Sequence, residues 1–80
     1  MHELGVLYQA MRTIERIAAE QNIQKIRYVT LEVGKESTYV PMYLKKLFPI
    51  AAERFPVAKG SELRLQMVSG RSLLIKEIGY

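Results

Sequence analysis

Residues 26–33 read IRYVTLEV and contain the clearest strand pattern in the chain. β-branched and aromatic residues are frequent in this stretch, and both favour strands. Because side chains alternate across a strand, its two faces should carry two different sets of residues. These sets are Val29, Leu31 and Val33 on one face, and Tyr28, Thr30 and Glu32 on the other. We expect the strand to end at Gly34 and a short polar loop to follow.

Before this strand, apolar residues recur at steps of three and four, which is the spacing of an amphipathic helix. The apolar stripe consists of Leu4, Leu7, Tyr8, Met11, Ile14 and Ala18. We expect the helix to begin within a few residues of the amino terminus. It should end near Asn22, since asparagine tolerates the left-handed conformation that terminates many helices.

A second helix is predicted from Val40-Pro41, because proline suits the first position of a helix. Its apolar face should carry Tyr43, Leu44, Leu47, Phe48 and Ala51. Proline inside a helix removes a hydrogen bond and clashes with the preceding turn. Pro49 therefore predicts a kink, or a stop near Phe48 followed by a short turn.

Two further strands are predicted at the carboxyl end, joined by a turn at Ser69-Gly70. Such a short connection predicts antiparallel neighbours, because a parallel pair needs a long crossover. Alternation in the last strand would separate Ile75 from Ile78. The element order is α-β-α-β-β, and we predict an α/β (α+β) fold with both helices packed on a three-stranded sheet.

The composition is that of a small globular domain. The chain has 80 residues, 49% of them hydrophobic and 25% charged, which predicts one domain with a core. The net charge is +4, but Lys45-Lys46 is the only adjacent basic pair, whereas nucleic-acid binding favours a clustered stripe. No apolar run approaches the roughly 18–20 residues of a membrane helix, and no signal peptide is recognisable. We expect a cytoplasmic protein that keeps Met1.

Few residues suit catalysis. There is no aspartate, no cysteine and one histidine, His2, so none of the usual nucleophile–base–acid triads can form. We therefore expect no enzyme activity. The missing cysteines also exclude a disulfide framework and a thiolate zinc site.

The amino terminus, MHEL at residues 1–4, offers metal chelation instead. An α-amino group has an ordinary pKa of roughly 7.7–8.0, so a metal ion can displace its proton near neutral pH. The donors would be the amine of Met1, the amide and imidazole of His2, and the amide or carboxylate of Glu3. Planar nitrogen and oxygen donors favour Ni(II) or Cu(II). By spacing alone, an ordinary polar residue at a helix start is the simpler interpretation of His2.

Several further motifs follow MHEL in order, beginning with VGKESTYV at residues 33–40. This ordered set resembles the HypA/HybF family of nickel metallochaperones, which also opens with MHEL or a close variant and continues with a G-E-x-S-x-V stretch. Val40, Pro41 and Leu44 match its V-P-x-x-L helix start. The remaining matches are Phe48, Gly60, Leu63 and Leu65, and, in the last motif, Val68, Gly70, Leu73 or Leu74, Ile75 and Ile78.

The resemblance implies a single nickel-binding domain over residues 1–80. It implies that Met1, His2 and Glu3 hold Ni(II) for transfer during maturation of [NiFe] hydrogenase or urease. The implied partners are a HypB-like GTPase and the hydrogenase large subunit.

Three features depart from the family pattern. The family inserts a zinc domain, held by two C-x-x-C pairs, between its last two strands, near residues 67–70 of this chain. Here no cysteine is present to bind zinc, and the insertion is missing. Lys35 replaces the glutamate of the G-E stretch, and Pro49 interrupts the second helix.

Two alternatives stay open at this point. The missing zinc domain and Lys35 would suit a divergent protein-interaction module without a metal role, whose partner binding would survive His2→Ala. A small basic nucleic-acid-binding domain would instead show strongly salt-dependent affinity. A homodimer is also compatible with the sequence, because a three-stranded sheet leaves two edges that can pair with another chain.

Overall fold

The computed structural model describes residues 3–80. Its elements confirm the predicted order and the α+β class. They are α1 (Glu3–Glu20), β1 (Tyr28–Gly34), α2 (Pro41–Ala52), β2 (Glu62–Val68) and β3 (Leu73–Gly79). Within residues 3–80, no helix has the length and apolar character needed to cross a membrane.

The strand order of the sheet is β2-β1-β3, so the prediction that the last two strands are neighbours is wrong. The central strand β1 is parallel to β2 and antiparallel to β3. Strands β2 and β3 do run in opposite directions, as a short connection requires. However, residues 69–72 cross the end of β1. Four residues are long enough for this, because an extended residue adds roughly 3.3–3.6 Å and adjacent strands are only about 4.8 Å apart.

Hydrogen bonds hold this crossover, residues 69–72, against the end of β1. The N–H of Gly34 donates to the carbonyl oxygen of Ser72 at 2.7 Å, and the N–H of Glu36 donates to that of Gly70 at 2.9 Å. The Glu36 carboxylate accepts a further bond from the Gly70 N–H at 2.6 Å. The approach is so close that a Cβ at Gly34 would overlap the carbonyl group of Gly70.

A β-bulge in β3 changes the faces predicted for that strand. The pairing of β3 with β1 shifts between Thr30 and Leu31, and Lys76 is the extra residue at that point. A bulge re-aims the side chains that follow it. Ile78 therefore packs against the core, as Ile75 does, although strict alternation predicted opposite faces.

One face of the sheet forms the core with both helices. Val29, Leu31 and Val33 of β1 have no exposed surface, as the alternation predicted. The helices contribute Leu7, Met11, Ile14 and Ala18 from α1, and Leu44, Phe48, Ala51 and Ala52 from α2. Burying each large apolar side chain stabilises the fold by roughly 1.5–3 kcal/mol, so this layer is the main source of stability.

Long polar side chains cover the opposite face of the sheet. The guanidinium of Arg64 lies 3.7 Å from the centre of the Tyr28 ring. The Tyr28 hydroxyl donates to the Glu77 carboxylate at 3.3 Å. The Lys76 ammonium reaches over β1 and donates to Gln66 Oε1 at 2.7 Å. These contacts therefore cover this part of the face with polar groups.

The end of α1 confirms the prediction from Asn22. Asn22 has a φ of 58°, in the left-handed region. The Ile23 N–H donates to the carbonyl oxygen of Ala18 at 2.8 Å, and the Asn22 N–H donates to that of Ala19 at 3.4 Å. These two bonds form a Schellman motif, which satisfies carbonyl groups at the helix end.

Helix α2 continues through Pro49 to Ala52, so of the two alternatives predicted at Pro49 the stop near Phe48 is wrong, while the kink stays a prediction. Pro49 has no N–H to donate to the carbonyl oxygen of Lys45. Phe48 and Ala51 on either side of it are buried in the core. Their packing favours a continuous helix despite the lost hydrogen bond.

Candidate functional site

Of the three residues predicted to bind nickel, the structure describes one. Met1 and His2 lie outside the described residues. Glu3 is the first residue of α1, and only 3% of its surface is exposed. Its Oε2 accepts a hydrogen bond from the backbone N–H of Val40 at 2.9 Å. The sequence did not indicate this contact, because 37 positions separate the two residues.

The Glu3 carboxylate lies at the amino-terminal end of α2. Val40 is the N-cap of that helix and has extended backbone angles, φ −97° and ψ 116°. Valine has no polar side-chain atom with which to cap a helix, whereas the positive end of a helix dipole favours a nearby negative charge. Glu3 therefore stabilises the start of α2 from the start of α1.

The loop between β1 and α2, residues 35–40, contacts both the start of α1 and the crossover. Glu36 binds Gly70 near one end of the loop, and Val40 binds Glu3 at the other. Lys35, which departs from the family pattern, is exposed in this loop. The start of α1, the loop and the crossover therefore lie at the same end of the molecule.

An open depression of about 450 Å³ lies beside this loop. It is lined by Glu36, Ser37, Thr38, Tyr39 and Arg71. These side chains carry hydroxyl groups, one guanidinium and one carboxylate, and that carboxylate already accepts the Gly70 N–H. Among residues 3–80, no group of three or more His, Cys, Asp or Glu side chains is placed to hold a metal ion.

Comparisons with known proteins identify a family and a fold. The model of the HypA family, described as a metallochaperone for hydrogenase and urease nickel incorporation, matches residues 1–73. The structure is similar to the solution structure of the Ni metallochaperone HypA from Helicobacter pylori. The TM-score is 0.79 and the identity 19%, with 96% of this chain and 72% of that chain covered. At this identity the likeness shows a shared fold. No curated protein sequence matches significantly.

Proposed function

We propose that this chain carries Ni(II) at its amino terminus. It belongs to the HypA family of metallochaperones for hydrogenase and urease nickel incorporation. The family match carries this proposal, because it extends over residues 1–73 and so includes the chelating residues Met1, His2 and Glu3. The donors are the Met1 amine, the His2 amide and imidazole, and a Glu3 atom. Nickel is the cargo, and the protein carries out no catalytic step of its own.

The contact between Glu3 and Val40 bears on which Glu3 atom binds nickel. Oε2 of Glu3 is engaged with the Val40 N–H in a buried position. We propose the amide nitrogen of Glu3 as the nickel donor, because a deprotonated backbone amide is a nitrogen donor of the kind that planar Ni(II) favours. The carboxylate, held by Val40, would position this segment.

The partners follow from family membership. We propose that a HypB-like GTPase and the hydrogenase large subunit, or a urease maturation partner, receive the nickel. Cysteine thiolates hold the zinc in the family's zinc site, and the 80 residues contain no cysteine. We therefore propose that this chain carries nickel without bound zinc.

Calorimetric titration with Ni(II) tests the proposal on two preparations of the protein. One begins with a free Met1, and in the other the amino group of Met1 is acetylated. We expect one Ni(II) per chain in the first, and at least about hundredfold weaker binding in the second, because acetylation removes the amine from the chelate. The variant His2→Ala should weaken binding to a similar extent while its circular dichroism spectrum stays unchanged.

Two results would contradict nickel carriage at the terminus. One is equal affinity in both preparations, and the other is absence of binding in either. If neither preparation binds nickel and a maturation partner still binds His2→Ala, the protein-interaction module is the better account.

A further inference from the structure

Exposed apolar side chains are concentrated on α2. Of the seven large hydrophobic residues that are exposed within residues 3–80, four lie on this helix or at its N-cap. They are Val40, Met42, Tyr43 and Ile50, with exposed fractions of 40%, 68%, 44% and 54%. The solvent-facing side of α2 therefore carries several apolar residues beside Lys45 and Lys46, although the surface side of a helix is usually polar.

The spacing of these residues follows a heptad pattern. Tyr43, Leu47 and Ile50 are separated by four and then three positions, which is the spacing of a and d residues in coiled coils. We call these three residues the exposed seam, in which Tyr43 and Ile50 are exposed and Leu47 between them is half-buried, with part of its side chain packed against the core. A second set with the same spacing, displaced by one position, is buried in the core and consists of Leu44, Phe48 and Ala51. One seam of α2 thus packs within the domain, and the other lies at its border, with Tyr43 and Ile50 open to solvent.

We propose that the exposed seam is a docking surface for an acidic amphipathic helix of a partner protein. The 4-3 spacing specifies a helical occupant, because apolar residues at these positions fit between side chains of a facing helix. Helix α2 runs from Pro41 to Ala52, or about 18 Å, which is enough for roughly three turns of a partner helix.

The charges around the exposed seam favour an acidic partner. Lys46 is exposed between Tyr43 and Ile50. Arg54, just past the end of α2, lies 5.6 Å from the ring of Tyr8 and is also exposed. The nearest acid in sequence, Glu53, forms an ion pair of 3.6 Å with Lys59. The net charge of the chain is +4, so opposite charge on the partner would favour association.

The exposed seam is distinct from the proposed nickel donors. None of its three residues supplies a proposed nickel donor. Binding of a partner helix to the exposed seam can therefore be tested separately from nickel binding. The seam starts about one turn after Val40, whose N–H binds Glu3. A helix docked on α2 would therefore lie near the end of the molecule at which Glu3 begins α1.

The test measures binding of labelled synthetic helices to the 80-residue chain by fluorescence anisotropy. One peptide of about three heptads carries leucine at a and d and glutamate at e and g. The second peptide has lysine in place of every glutamate. We expect saturable binding of the acidic peptide and at least about tenfold weaker binding of the basic one. The variant Lys46→Glu should reduce this preference.

Ile50→Glu is the decisive variant, and Leu74→Glu is its matched control. The two side chains are similarly exposed, 54% and 58%, but Leu74 lies on β3. Ile50→Glu should weaken binding of the acidic peptide at least about tenfold, and Leu74→Glu should change it less than about twofold. If circular dichroism shows that Ile50→Glu is unfolded, Tyr43→Glu takes its place.

Several outcomes would overturn the proposal. The first is that the acidic peptide shows no saturable binding, and the second is that both peptides bind equally. The third is that Ile50→Glu and Leu74→Glu weaken binding to the same extent. Sedimentation velocity would detect one further outcome, the formation of a dimer. A dimer that Ile50→Glu dissociates and Leu74→Glu leaves intact would mean that a second copy of the chain covers the exposed seam.

Discussion

The backbone N–H of Val40 donates a hydrogen bond to the carboxylate of Glu3 at 2.9 Å and so joins the beginnings of the two helices. Only 3% of Glu3 is exposed, which places this contact in the interior. Hydrogen bonds to charged groups contribute more to stability than neutral ones, and a buried partner left unsatisfied is costly. One residue therefore contributes to the fold and lies next to the proposed nickel donors.

Replacing Glu3 should separate these two roles. Glu3→Ala removes the acceptor, and we expect it to lower the free energy of unfolding by about 1.5–3 kcal/mol, measured by urea denaturation. Glu3→Gln keeps an oxygen acceptor for Val40 and should cost less than half as much. If the Glu3 amide is the nickel donor, Glu3→Gln should bind Ni(II) within about threefold of the unmodified chain. A loss of more than tenfold would show that the carboxylate binds the metal.

Nickel binding should weaken as the pH falls. Each donor must lose a proton before it binds the metal, so protons compete with Ni(II) at low pH. Below the ordinary pKa of an α-amino group, each displaced proton should weaken the apparent affinity about tenfold per pH unit. Titrations at several pH values between about 6 and 8 would measure this slope. Affinity that is constant over this range would exclude an amine donor.

Gly34→Ala should destabilise the domain because the crossover passes directly over this position. A Cβ there would overlap the Gly70 carbonyl and lie 2.8 Å from the amide nitrogen of Arg71. We expect a loss of about 2–3 kcal/mol in thermal or urea unfolding. Gly5→Ala is the control, since among the described residues a Cβ at Gly5 meets no atom within 4 Å apart from its chain neighbours and its own helix backbone. It should stabilise α1 by about 0.5–1 kcal/mol. Equal effects of the two changes would show that the crossover does not pack as described.

The end of α1 depends on the backbone conformation of Asn22. Its φ of 58° is unfavourable for residues with a Cβ, and asparagine tolerates it better than most. Asn22→Ala should therefore lower stability by about 1 kcal/mol, whereas Asn22→Gly should be neutral or stabilising. The adjacent Gln21→Ala serves as the control and should change little. A destabilising Asn22→Gly would indicate that the asparagine side chain, and not its backbone conformation, is what matters.

The local features of the fold could be predicted because they depend on short-range patterns. Steps of three and four positions predicted α1, and the alternation in residues 26–33 predicted which face of β1 is buried. Asn22 marked the end of α1 because its backbone preference is a property of the residue itself. The chelate at the amino terminus was also inferred from three adjacent residues, and whether Met1, His2 and Glu3 bind nickel stays a prediction.

The sequence alone determined the element order and the faces of α1 and β1, because each depends on residues close together in the chain. It also determined the resemblance to nickel metallochaperones, because this rests on short motifs in a fixed order. The tertiary structure decided the central place of β1, the bulge at Lys76 and the continuity of α2 through Pro49. It also decided that the Glu3 carboxylate binds Val40. Each of these depends on the packing of segments far apart in sequence, where the lowest free energy is set by the whole core and cannot be inferred from local periodicity.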